Sequence, residues 1–408
     1  MSEFFGTRYS SNTLKIISSI IIFVFLIPYT ASLYNGLSRL FSMAFNVDYA
    51  VCVIIMAILT GVYVIAGGYM ATAINDFIQG LIMLGGIVAV IAAVLNLNGG
   101  FMGSLDALAQ VTDTTVSTTP GVFASFFGPN PLELLGVVIL TSLGTWGLPQ
   151  MVQKFYAIKS EKAINKGTII STLFALVVAG GCYFLGGFGR IVEVQNVTGA
   201  NGAIVYDAII PAMIEQLPEV LIAIVIILVL SASMSTLSSL VLASSSTVTI
   251  DLIKDNIVKN MSDKKQVSVM RLLVVIFIAI SAVIAIMQYK SASNFIAQLM
   301  GISWGALAGA FLAPFLYGLY SKKTTKASVY VCMFFGAGIM TLNMLFRGAF
   351  PTILQSPINC GAFAMLAGLV IVPVVSLFTK KLDKEKVDAM FSCYENQVVT
   401  TAKETLGD

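Results

Sequence analysis

The stretch "VLIAIVIILVL", from Val220 to Leu230, holds no polar side chain, and runs of similar character recur along the whole chain. About 20 consecutive apolar residues suffice for a helix to cross the hydrocarbon of a bilayer. Ten such runs are read, at 14–41, 50–68, 73–95, 132–152, 164–187, 217–247, 267–288, 294–319, 327–346 and 358–379. Charged residues are only 11% of the 408, whereas soluble proteins average about 25%. A soluble globule could not hide this much apolar surface. The expected fold class is an all-α polytopic membrane protein with about ten transmembrane helices.

Charge placement orients these spans. With the N-terminus inside, nineteen of the 23 Lys and Arg residues fall on one side. Only Arg39, Arg190, Lys290 and Arg347 fall on the other. Basic residues concentrate on the cytoplasmic side of membrane proteins, so both termini are expected there, in a plasma (inner) membrane. Residues 1–380 are read as the transmembrane domain and 381–408 as a polar cytoplasmic tail. The first run is too long for a cleavable signal and has no small-residue cleavage site. There is no His, which removes imidazole proton relays and His metal sites. The five cysteines have no metal-like spacing and read as small apolar filler. No nucleophile–base pair or phosphate loop appears, so an enzyme is not expected.

Polar residues inside spans are costly and therefore informative. Just after the Val220–Leu230 run, eleven of the nineteen residues from Ser231 to Thr249 are Ser or Thr. On a helix turning about 100° per residue, Ala232, Ser235, Thr236 and Ser239 share an arc of about 100°, which Ser238 widens by about 60°. Scattered hydroxyls usually bond back to their own helix. Several on one face offer neutral oxygens to a hard cation such as Na+. The later "SSSTVT" reads as the approach to the cytoplasmic interface. Asp76, in "ATAINDFIQGLIM", falls near the inner end of an outward-running span, at the depth of Ser238 and Ser239 on an inward-running one. A carboxylate among hydroxyls holds Na+ more firmly than hydroxyls alone. In "SLGTWGLPQMVQKF", Gly144, Gly147 and Pro149 interrupt a span. Broken helices are where transporters expose backbone to a solute. Gln298 and Trp304 lie in a second stretch dominated by small residues, read mainly as close packing.

Four segments resemble the sodium:solute symporter family. They are "FFGTRYSSNTLKIISSIIIFVFLIPYTASLYNGLSRLF", "GVYVIAGGYMATAINDFIQGLIML", "GLPQMVQKFYAIKSEKAINKGTIIST" and "SMSTLSSLVLASSSTVTIDLIK". The likeness is nearest to bacterial proline and pantothenate transporters and extends to about residue 380. It implies a LeuT-type core of inverted five-helix repeats. It also implies that this chain starts before the third core helix, so the core is partial, without its first two helices. Carried over residue by residue, the resemblance puts one Na+ site at Ala232, Ser235 and Thr236. It puts a second at Asp76, Ser235, Ser238 and Ser239. It assigns solute contact to Tyr29, Thr145, Trp146, Gly147 and Pro149; Gln298, which with Trp304 could face a cavity, joins them from the residues alone. Thr141 and Thr145 stand where proline transporters carry Trp and Tyr, a departure from the proline pattern.

The implied function is Na+-coupled symport of a small organic solute into the cell, either proline or a related amino acid, or pantothenate. Na+ is the expected cofactor. The expected partners are the solute and the lipid bilayer, with no nucleic acid. Two other readings stand beside it: a proton-coupled symporter working through Asp76, and a truncated membrane protein that does not transport.

Overall fold

The computed structural model describes residues 1–114, 116–156, 158, 160–191, 197, 204–291 and 296–395. Fifteen helices follow in chain order: α1 (Ser2–Arg8), α2 (Asn12–Phe45), α3 (Tyr49–Leu97), α4 (Gly100–Gln110), α5 (Pro131–Leu143), α6 (Pro149–Phe155), α7 (Glu161–Gly187), α8 (Ile209–Glu215), α9 (Glu219–Ser246), α10 (Asp263–Ser291), α11 (Ile296–Tyr320), α12 (Lys326–Leu345), α13 (Thr352–Gln355), α14 (Pro357–Phe378) and α15 (Lys384–Phe391). Among the described residues there is no strand, only an isolated bridge between Asp113 and Ser117. Among the described residues nine helical segments are long and apolar enough to cross a membrane, Tyr49–Gly67 and Ala73–Leu97 of α3 counting as two, or ten if the bent pair Pro131–Gly147 and Pro149–Phe155 is one span. Residues 294 and 295 of one expected span, and 396–408 of the expected tail, lie outside the described residues.

Local signals set the helix ends. The side chain of Ser11 caps α2 at Leu14 N, and Asp48 caps α3 at Ala50 N and Val51 N. Ser160 and Thr325 do the same for α7 and α12. Each satisfies a backbone N–H that the first helical turn would leave unpaired. The expected spans 50–68 and 73–95 lie in one helical run, α3. That run is sharply bent, because Asn75 Nδ2 donates to the Tyr63 hydroxyl at 3.0 Å. In a straight helix twelve residues would separate them by about 18 Å along the axis. The expected span 132–152 is α5 and α6, bent by 50°.

Helix α11 is the most enclosed span, with 83% of its apolar window buried, against 6% for α7. It packs on α14, α12, α2 and the Gly144–Gly147 turn, while α3 packs mainly on α9. Small residues permit this closeness. A Cβ at Gly361 would stand 2.7 Å from Gly305 Cα, and a Cβ at Gly305 would stand 2.7 Å from Gly361 Cα. The backbones of α11 and α14 therefore touch directly.

Polar clamps close both ends of the bundle. At one end the buried Lys15 side chain reaches Glu3, Asp251 and Asp255, tying α1, α2 and the continuation of α9 together. At the other, Asp207 accepts from the Ile296 N–H at 3.0 and 3.2 Å and lies 3.7 Å from Arg39. Arg39 also donates to Asn35 at 2.8 Å and lies over the Tyr289 ring. Burial is the largest influence on Asp207 and pushes its carboxyl up; the Ile296 N–H and Arg39 pull it partly back.

Three outcomes are expected. Gly361→Val should cost about 1–3 kcal/mol by overpacking, whereas Gly338→Val, with open space around it, should cost far less; melting temperatures in detergent check this. Asp207→Ala should cost about 1–3 kcal/mol, by leaving the half-buried Ile296 N–H unpaired. Because the folded state raises the Asp207 pKa, its contribution is greatest below the ordinary carboxylate value and is lost as pH rises through the raised one. The stability of the unsubstituted protein relative to Asp207→Asn should therefore fall across that interval.

Candidate ion and solute site

The hydroxyl-rich half of α9 is where the chain concentrates neutral oxygen ligands. Thr236 Oγ1 donates to Ala232 O at 3.0 Å, and Ser238 and Ser239 donate to Ser235 O at 2.9 and 3.1 Å. A hydroxyl that gives its proton to the helix keeps its lone pairs for an outside partner. Ser238 is buried; Ser235, Thr236 and Ser239 are half-buried, on the side of the helix that is not sealed in the core.

The later "SSSTVT" does not end the helix. Helical structure continues past Ser246 as a wide π-type turn, Thr247–Lys254. Ser244, Ser245, Thr247 and Thr249 are buried. Ser245 bonds to Val241 O and Thr249 to Ser245 O. The Ser245 and Thr249 hydroxyls are thus spent inside the helix, Ser244 Oγ is buried with no hydrogen-bond partner, and α1 and α2 pack on this turn. The sequence pattern does not show this, because the covering helices come from the other end of the chain.

Asp76 lies in the first turn after the bend of α3. Its Oδ2 is 3.8 Å from Lys154 Nζ on α6. Its Oδ1 is buried with no hydrogen-bond partner. The Ser235 hydroxyl stands beside the carboxylate, and the Tyr63 hydroxyl stands beside Ser238. The structure thus brings Asp76, Ser235 and Ser238 together. It also adds Tyr63, Asn75 and Lys154, which the sequence reading did not include. A cavity of about 800 Å³ opens here, lined in part by Asp76, Gln150, Lys154, Ser239 and Ser246. Gln150 is 5% exposed, and its Oε1 also lacks a partner. An orphaned carboxylate oxygen, an orphaned amide oxygen and several hydroxyls form an acceptor-rich wall, which suits a small hard cation.

The expected solute contacts divide. Tyr29, half-buried on α2, meets the Trp304 ring edge-on at 5.7 Å. A Cβ at Gly144 would stand 3.5 Å from Trp304 Cε3, so α2, α11 and the break after α5 converge on that indole. Gly147 fits only as glycine: a Cβ there would stand 2.7 Å from Ala308 Cα. Pro149 is buried as the first residue of α6, and Thr145 Oγ1 donates to Ser142 O at 3.1 Å. Trp146 is 55% exposed and lies outside this convergence. Gln298 accepts from Arg347 Nη2 at 3.3 Å, and sits about 9 Å along α11 from Trp304 by helical rise.

The sodium:solute symporter family profile matches residues 1–336. The chain belongs to that family. Among its relatives, sodium/proline symporters of Staphylococcus aureus, including that of strain JH9, are 28% identical over 394 residues. The alignment covers 94% of this chain and 73% of the relative. The solved substrate-bound outward-open state of a Na+-coupled sialic acid symporter superposes with a TM-score of 0.66 at 16% identity. It covers 94% of this chain and 78% of that one. The fold is thus the LeuT-type helical core. The chain is a multi-pass membrane protein of a transporter family rather than an enzyme family. It is a Na+-coupled solute symporter, and its coupling ion is Na+.

Gly147→Ala should push the α5–α6 break away from α11, at a cost of about 1–3 kcal/mol. Detergent melting curves would show it as a lowered midpoint, and cysteine accessibility across the break would rise.

Proposed function

We propose that this symporter carries a small organic solute into the cell together with Na+ bound by Asp76, Ser235, Ser238 and Ser239, with Ala232, Ser235 and Thr236 as ligands of a second ion. The observation that carries the reading is the buried, partnerless Asp76 Oδ1 beside the hydroxyl face of α9. A carboxylate oxygen kept from water and from protein donors is an open valence for a cation. The proposed solute is proline or a related amino acid, with pantothenate as the other candidate. The sodium/proline symporters among its relatives support the former. Thr141 and Thr145 are where the match to proline transporters is weakest. Solute contact is assigned to Tyr29, Thr145, Gly147 and Pro149 around Trp304. Trp146 and Gln298 remain proposed contacts that would have to move toward it.

The charge distribution supports a plasma (inner) membrane location with both termini cytoplasmic. Residues 1–380 form the membrane domain in this reading, and 381–408 the tail. The Asp76 cavity then faces the cytoplasm. Each Na+ moving inward gains about 2.3 kcal/mol per 100 mV of membrane potential. Ordering of the ion site and of the solute site would be reciprocally coupled.

Uptake of labelled proline and pantothenate into proteoliposomes, with and without a Na+ gradient, tests the reading; uptake unchanged without Na+ would sink it. Asp76→Asn and Ser235→Ala should each raise the Na+ concentration for half-maximal uptake roughly tenfold or more, equal to about 1.4 kcal/mol. An Asp76→Asn protein that loses coupling while Ser235→Ala behaves normally would point to protons instead. Lys154→Gln removes a half-exposed ion pair, and should change stability by less than about 1 kcal/mol. It should also tighten Na+ binding, because the ammonium competes for Asp76.

A further inference from the structure

A second pocket, of about 520 Å³, lies at the end of the bundle where α12 begins and α14 ends. Its lining includes five cations, Arg8, Lys326, Lys380, Lys381 and Lys386, against a single carboxylate, Asp383. That carboxylate is engaged already, capping α15 at Glu385 N. The nearby Asp388 is also taken, by Lys322 at 2.6 Å.

Arg8 is the informative member. It is 5% exposed. Its Nε donates to Gly318 O at 2.8 Å and one Nη2 proton reaches Ser321 O at 2.9 Å. Its Nη1 is buried with no hydrogen-bond partner. Among the described residues no carboxylate forms an ion pair with it, and burial pulls the guanidinium below its ordinary value. The guanidinium lies over the Tyr9 and Phe391 rings, 5.2 and 5.1 Å from their centroids, and a buried guanidinium with an open fork position is costly unless an anion completes it. Lys326 is held in place by donating to Ser10 O at 3.1 Å. At the same level Leu377 and Phe378 are 77% and 84% exposed, an apolar rim directly before Lys380 and Lys381.

We propose that this pocket is a binding site for a phosphate-bearing anion, completed by Arg8 Nη1 and the surrounding lysines. The ligand class is a phosphate group, presented either by an anionic phospholipid or by a soluble phosphate compound. Basic pockets between membrane helices at the interface suit such headgroups. Guanidinium and ammonium groups together match phosphate oxygens. A lipid source would also cover Leu377 and Phe378 with its acyl chains. The site is independent of the ion site near Asp76, which shares none of these residues.

The test uses the full chain purified in detergent. Phosphatidylglycerol, phosphatidylcholine and pyrophosphate are titrated separately, and bound ligand is counted by native mass spectrometry. The pocket pair Lys380→Ala/Lys381→Ala is compared with Lys264→Ala/Lys265→Ala, which removes the same charge elsewhere. Each cation removed near an anionic surface should weaken binding about fivefold, so the pocket pair should lose roughly 25-fold while the control pair loses little. Arg8→Gln also removes bonds to Gly318 and Ser321, so the lysine pair, not Arg8, carries the test. Saturable phosphatidylglycerol binding with that pattern identifies a lipid site. The same pattern with pyrophosphate identifies a soluble ligand. Equal losses in both pairs, or no saturable binding of either phosphate compound, overturns the proposal.

Discussion

An amide or carbonyl left unpaired in hydrocarbon costs several kcal/mol, and that constraint governs where this backbone can stop being helical. The interruptions obey it. At the break between α5 and α6, Leu148 is extended, and Gly147, Leu148 and Pro149 are all buried against the protein. The π-type turn after α9 is covered over Thr247–Thr249. Irregular backbone occurs inside the bundle, while the lipid-facing length of α7 is unbroken.

Those interruptions also position the chemistry. The bend of α3 turns Asn75 and Asp76 back toward Tyr63 and toward α9. The break after α5 turns α6 so that Lys154 and Gln150 reach the same cavity. Direct contact between α11 and α14, made possible by Gly305 and Gly361, fixes the wall against which Gly147 rests. One carboxylate oxygen is left with no donor while Lys154 engages the other only at 3.8 Å. A site with its own acceptors fully satisfied would have little left to offer a cation. Partial satisfaction is therefore the physical basis for reading it as a binding site.

Much of this was legible in the residues, and the legible parts share a cause. Span identity follows from hydropathy, which the bilayer reads locally. The face formed by Ala232, Ser235, Thr236 and Ser239 follows from helical periodicity, which is also local. Placing Asp76 at the level of Ser238 and Ser239 needed only the relative depth of two spans, whereas Ser235 was set beside it by the family resemblance. Tyr63 and Lys154 were not legible, because one depends on the angle of a bend and the other on the direction taken after a break. Asn75 sits next to Asp76, and that adjacency was the one available signal. The burial of "SSSTVT" was hidden for a similar reason, since α1 and α2 supply the cover. Trp146, a reasonable solute contact by sequence alone, is 55% exposed, and exposure depends on how the turn at Gly144–Gly147 packs rather than on the local sequence.

The sequence by itself determined that this chain is a helical membrane protein, which way its charges bias it and which helix face carries hydroxyls. Those properties depend on single residues or on neighbours within a few turns, and the bilayer acts on each segment separately. Only the tertiary structure decided which polar groups are satisfied. It gave Arg8 two carbonyls and left its third position empty. It gave Asp76 a distant ammonium and a hydroxyl neighbour. Satisfaction is a property of several helices meeting at once, and small residues on helices far apart in the chain set how closely they meet.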